Sequence, residues 1–264
     1  MIKNIIHIIV IINMNSIEKI NKTRYSLKEM LKDEWDTSMI ADLSQQEVEK
    51  MFMTPLAKNS QLNPLGNSAG CNFTINHRYI PSFQLHIVYY NLPEVGSNSS
   101  KVTKSVCDKI LNLYKKEHFN FEDSVFVIID DIISETLQQS FNNLNIILQN
   151  DFEETSLSET IINEMKTNNY PLQNKHFRNV NVITINNITN NIMEHRLVPN
   201  HRVIRNKNEI SEILEKCNCL INQLPIILKN DIISKILRIS SGDICEITRK
   251  SQKCGEYPFY RVCK

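Results

Sequence analysis

The sequence predicts an α+β protein of two modules: an N-terminal α/β domain with helices on a small sheet, and a smaller C-terminal mixed α/β domain. Three observations predict it. The chain's 264 residues, 41% hydrophobic and 22% charged, suffice for two packed cores and are too apolar for global disorder. Helix-period and strand-like runs alternate, as they do in layered folds where helices cover a sheet. Charge divides along the chain: His195 to Lys264 carries 13 Lys and Arg against seven Asp and Glu (+6), and Met1 to Glu194 carries 17 against 22 (−5). A net +1 speaks against a nucleic-acid wrapper, while the split suggests two surfaces with different partners.

The elements follow in order. Residues 1–15 read as an extension; the apolar run Ile5–Ile12 is well short of the ~20 residues of a membrane span, so a soluble intracellular protein with no membrane partner is expected. Residues 16–190 form the first domain. Ile17, Ile20, Arg24, Leu27 and Leu31 recur at helical spacing to about Glu34. Ser44 and Glu47 have capping-box spacing ahead of Val48, Met51 and Phe52, with Pro55 as the stop. Residues 59–72 and 93–100 read as loops around a strand at 83–90. Thr103 precedes the helical stripe Val106, Ile110, Leu113 and Tyr114. Val125–Ile129 is a continuous apolar run, as in a strand covered on both faces. A helix at 134–141 and a strand at 145–148 follow, and 180–185 reads as a further strand. The polar stretch 151–178, with a short helix near Ile161–Met165, reads as an insertion.

Residues 191–264 form the second domain. Asn206 and Glu209 open a helix with Ile210, Ile213, Leu214 and Cys217 on one stripe. Asn230 or Asp231 caps another helix, Ser241-Gly242-Asp243 is a turn, and 244–249 and 257–263 are strands.

No catalytic constellation emerges. The G-x-G-x-x-G, P-loop, H-E-x-x-H and G-x-S-x-G patterns are absent from the sequence. Asp130-Asp131 is the best carboxylate pair, but adjacent strand residues face opposite ways, and helix capping is the plainer account. Cys217-x-Cys219 lacks the usual zinc-knuckle spacing, and the seven cysteines read as reduced thiols. The expectation is no catalytic, cofactor-binding or metal-binding residue. Glu209, Glu212 and Glu215 along the helix at 208–217 would repel phosphates, against a helix-turn-helix reader. The 38 Ile and 33 Asn reflect A/T-rich codons rather than function.

His195-Arg196-Leu197-Val198-Pro199-Asn200-His201 resembles the H-x-L-V-P-x-H signature of the RNA polymerase subunit family comprising eukaryotic Rpb5 and its archaeal counterpart. Gln223-Leu224-Pro225, Ile227, Asp231, Gly242, Ile247-Thr248-Arg249-Lys250-Ser251, Gly255-Glu256-Tyr257 and Tyr260-Arg261 continue the resemblance in the family's order. Two departures stand out. Asp231-Ile232 replaces Asp-Pro, and Leu237-Arg238-Ile239-Ser240-Ser241 replaces Leu-Gly-Leu followed by a basic residue. Arg24 to Asp33 also resembles the first helix of the jaw domain that eukaryotic members carry and archaeal ones lack.

The resemblance implies a non-catalytic subunit of DNA-directed RNA polymerase that docks on the largest subunit and forms part of the downstream-DNA jaw. The docking residues it implies are His195, Leu197, Val198, Pro199, His201, Leu224, Pro225, Gly242, Arg249, Gly255, Tyr257, Tyr260 and Arg261. Lys22, Arg24 and Lys28 are a candidate patch for weak, non-specific contact with the backbone of downstream duplex DNA. The alternative reading is a free-standing DNA-binding transcription regulator. The expected location is the nucleus for a cellular protein, and the virion or infected-cell cytoplasm for a product of a large DNA virus.

Overall fold

The computed structural model describes residues 15–54, 65–93, 101–251, 253 and 255–264. Residues 1–14 of the expected extension 1–15, the Pro55 stop and the loop residues 59–64 and 94–100 lie outside the described residues.

Helix α1 (Ser16–Met30) starts where the Asn15 side chain accepts the Glu18 N–H, and it buries Ile17, Ile20, Leu27 and Met30. Helix α2 (Gln45–Met53) has both halves of its Ser44–Glu47 capping box. The sheet of this module runs β1 (Phe73–Asn76), β2 (Gln84–Tyr89), β3 (Ser124–Ile129), β4 (Val180–Thr184). β1 is antiparallel to β2, and the other pairs are parallel, with Ile87 beside Phe126 and Val127 beside Val182. All six residues of β3 are buried. Val125, Val127 and Ile129 meet α3 (Ser105–Lys115) and α4 (Glu135–Glu154), whereas Phe126 and Ile128 meet the α1 and α2 side. A strand covered on both faces needs an unbroken apolar run, as the sequence has there.

One expected element is corrected. Residues 145–148 are not a strand but the middle of α4, whose Leu137, Phe141, Leu144, Leu148 and Phe152 recur at helical spacing and are buried. Ile146 and Ile147 make the segment look strand-like, yet both point outward, 57% and 48% exposed. The stretch 151–178 is packed into the first module. Helix α5 (Glu159–Thr167) follows α4, Phe152, Ile161, Leu172 and Phe177 are core residues, and the buried Arg178 pairs with Asp151 at 2.7 Å. The short helix α6 (Ile185–Ile188) then packs on α1.

The second module is a four-stranded sheet ordered β5 (Asn200–Ile204), β7 (Ile244–Ser251), β8 (Gly255–Cys263), β6 (Ile226–Ile227). Helix α7 (Lys207–Lys216) covers one face, packing Ile213 on Ile204, Ile244 and Val262. On the other face Ile239 meets Cys245, Ile247 and Cys263. Helix α8 (Ile232–Ile236), capped by Asp231, sends Ile236 into the core of the first module. Cys217, expected on the apolar stripe of α7, is instead its exposed C-cap. No helix among the described residues is long and apolar enough to cross a membrane.

Candidate docking face and the junction behind it

Strand alternation sorts the side chains of the second module. On β8, Tyr257, Phe259 and Arg261 share one face, paired across β7 with Arg249, Ile247 and Cys245; His201 on β5 pairs with Ile247. The Arg249 guanidinium lies 4.4 Å from the Phe259 ring centre and Arg261 lies 5.4 Å from it, so two cations contact one aromatic. Arg261 is held by a 2.8 Å bond from its Nη1 to the Ile226 carbonyl. His201 donates from Nδ1 to the Pro199 carbonyl at 2.7 Å; burial, with the Arg249 and Arg261 charges behind it, pushes this imidazole below its usual range against that bond and Asp231. The 195–199 turn sits at the same end, where His195, Leu197, Val198 and Pro199 line a groove of about 860 Å³ with Thr248, Arg249 and Glu256. Leu197 is 75% exposed. Pro225 is exposed, and Gly255 takes φ +69° in the β7–β8 hairpin with open space around it.

Three of the implied docking residues lie off this face. Leu224 is buried among Ile204, Ile213, Ile244 and Val262, so it is core. Tyr260 lies on the opposite sheet face, packed against the α7 core. Gly242, at φ +83°, forms a turn against the first module, with the Lys175 ammonium 3.5 Å from where a Cβ would stand. The Lys22, Arg24, Lys28 patch is divided between buried and solvent-facing positions. Arg24 is buried, donates to the Cys71 and Ala41 carbonyls and lies over the Phe73 ring at 4.4 Å, so it is not available to phosphate. Lys28 pairs with Asp42 at 2.9 Å, and Lys22 is exposed.

Asp130 and Asp131 have structural roles, although not helix capping. Asp130 pairs with Lys19 at 2.8 Å, Asp131 accepts the Val102 N–H at 2.9 Å, and Ser134 caps α4. Among the described residues no three His, Cys, Asp or Glu gather at metal-binding distance.

Nothing in the sequence pattern marks the junction between modules. Asp243, 2% exposed, accepts from Lys175 at 2.7 Å, from His176 Nε2 at 3.0 Å and from the Ser240 N–H at 3.0 Å, with Arg205 Nε at 3.6 Å. His176 Nδ1 accepts the Gln173 N–H, which fixes the tautomer that donates to Asp243. Burial opposes charge on Asp243, but the bonds from His176 and Lys175 and the Arg205 charge outweigh it and hold its pKa at about 2. Arg205 also pairs with Glu34, which accepts from the Tyr170 hydroxyl at 3.1 Å. Arg238, at φ +54°, stands where the family pattern has glycine. This left-handed backbone costs a side chain about 1 kcal/mol, and here it sets the guanidinium 5.3 Å from the Trp35 ring centre. Ser240, where the family has a basic residue, is buried and donates to the Lys175 carbonyl at 3.1 Å. Both changed positions in the 237–241 departure thus contact the first module.

His77, in edge contact with Trp35 and Tyr170, is pushed by burial to about 4 against the pull of Glu34. The unfolded chain takes up this proton near pH 6.5 and the folded chain only near 4, so stability is full above that window and lost as pH falls through it. His176 is lowered by burial too and adds in the same direction. The His77 loss approaches roughly 3 kcal/mol. His77→Phe keeps an aromatic ring without the proton. Urea unfolding between about pH 7 and 4.5 should therefore show a flatter profile for it than for the parent chain; equal slopes would contradict this assignment.

The second module thus presents one sheet face on which Tyr257 and Phe259 lie beside Arg249 and Arg261. The family model described as RNA polymerase Rpb5, C-terminal domain, matches residues 190–263. DNA-directed RNA polymerase subunit Rpo5 of Methanosphaera stadtmanae is 36% identical over 74 residues, 28% of this chain and 95% of the relative. The Rpo5 proteins of Nitrosopumilus maritimus and Pyrococcus abyssi are 41% and 44% identical, covering 26% and 27% of this chain and 83% and 87% of the relatives. The chain belongs to the Rpo5/Rpb5 family of non-catalytic RNA polymerase subunits.

Proposed function

We propose that this chain joins the largest subunit of a DNA-directed RNA polymerase to the jaw that flanks downstream DNA, with nucleotide addition carried out on other subunits. The carrying observation is the face made by His201, Arg249, Tyr257, Phe259 and Arg261 on the family-matching module. Aromatic and arginine side chains combine large apolar area with directed hydrogen bonds, as interface anchors do. In this reading residues 191–264 are the docking domain and residues 16–190 the jaw-like domain, locked to it by the Asp243 and Glu34 junction. Contact with duplex DNA is weak and independent of sequence, because the first 194 residues carry net negative charge and Arg24 is buried. The nucleus, or the virion and infected-cell cytoplasm for a viral product, is the matching location.

A photoreactive phenylalanine analogue at Tyr257 tests the docking step. In the assembled polymerase it should crosslink to the largest subunit. Crosslinking only to DNA, or to nothing, would overturn the reading.

A further inference from the structure

Two cavities run together between the modules. One lies at the carboxyl end of β4, with Ile133 and Ile232 on its walls and Lys235 lining it. The other continues along α4 between Ile146 and Leu228 and reaches Lys229 and Lys264. Asn142 and Asn230 line both, so they form one groove. From Glu135 to Gln149 it follows roughly 21 Å of α4, the length of about four helical turns. None of its lining residues belongs to the groove at His195–Pro199.

Two features say what fits. The walls leave large aliphatic side chains in water, Ile146 at 57% and Leu228 at 65% exposure. The amides on the floor are committed to the fold: Asn145 bonds both the N–H and the carbonyl of Val180, and Gln149 donates to the Phe177 carbonyl. Besides neutral amides such as Asn142, Asn187 and Asn230, the charged groups are mostly cationic. Lys235 is buried and donates only to the neutral Gln138 amide at 2.6 Å, and no carboxylate among the described residues forms an ion pair with Lys229, Lys235 or Lys264. Burial pushes Lys229 down, and it pushes Lys235 down to about 8 against a pull from Asp231 that makes no direct pair. Glu135, exposed at one end, is the single acidic side chain among the lining residues described.

We propose that this groove seats an acidic amphipathic helix of a partner protein, its aliphatic side chains between Ile146 and Leu228 and its carboxylates on Lys229, Lys235 and Lys264. A helix satisfies its own backbone, so the groove needs only apolar walls and charge. Because the walls come from both modules, the site exists only while the junction holds them in register.

The probe is a fluorescein-labelled peptide of about 16 residues with leucines at helical spacing and glutamates elsewhere, compared with its lysine twin by anisotropy on the full chain. The acidic peptide should bind and the lysine twin should not. Ile146→Asp, Leu228→Asp and Lys264→Glu, all at exposed positions and checked for folding by circular dichroism, should each weaken binding about tenfold. Equal binding of the twins, binding of neither, or affinity unchanged by the substitutions would overturn the proposal. So would a labelled single-stranded RNA of similar length that binds in place of the peptide and is lost with Lys264→Glu, since that assigns the groove to nucleic acid.

Discussion

Asp243→Ala should destabilise the chain by about 3–5 kcal/mol, because it leaves Lys175, His176 and Arg205 around a buried site without their shared carboxylate. At this size that lowers the melting temperature by on the order of 10 °C. The injury should centre on the junction. Arg205 keeps Glu34, but the turn at Ser240–Asp243 loses the carboxylate that accepts the Ser240 N–H. Protease cleavage between Thr189 and Pro199, where the chain passes from one module to the other, should accelerate along with the stability loss. Asp243→Asn keeps the shape and one acceptor oxygen and should cost less than alanine. A thermal shift within a degree or two for Asp243→Ala, with cleavage unchanged, would mean that the modules do not depend on this carboxylate.

Arg249→Glu and Tyr257→Ala should change the isolated chain's stability by no more than about 1 kcal/mol, the scale of the Arg249–Phe259 contact, since both side chains reach solvent. Each should nevertheless weaken assembly into the polymerase by at least about 2 kcal/mol, roughly 30-fold, if this face supplies anchors. Leu224→Ala provides the contrast. It removes a core side chain and should cost about 2–5 kcal/mol in folding, so any assembly defect would follow from lost stability. Quantifying copurified large subunits beside urea unfolding of each variant separates the two kinds of effect. Loss of assembly for Leu224→Ala alone would contradict the placement of the docking face.

The strands at 125–129 and 180–184 and the β7–β8 hairpin are legible in the sequence because burial on both faces, or a glycine turn between apolar runs, leaves a local pattern. Strand β1 is not, because only Ile75 of its four residues is buried. Helix α4 misleads at 145–148, where two outward isoleucines outweigh a stripe spread over sixteen residues from Leu137 to Phe152. The residues on β7 and β8 proposed to dock are legible as family motifs, but motif membership does not distinguish a core residue such as Leu224 from a surface one such as Tyr257. The junction is illegible for a different reason. Glu34, Tyr170, His176, Arg205 and Asp243 come from distant segments, and no local periodicity records that they meet. Arg24 shows the same limit: its spacing marks a helix correctly, but only the fold reveals a cation packed over Phe73 instead of facing solvent.

Affinity purification of the tagged, unsubstituted chain from the cells or infected cells that express it, followed by mass spectrometry, tests the central claim most directly. The expected result is near-stoichiometric recovery of the two largest polymerase subunits, withstanding moderate salt. A chain that elutes alone as a monomer, with neither of those subunits above background, would contradict it.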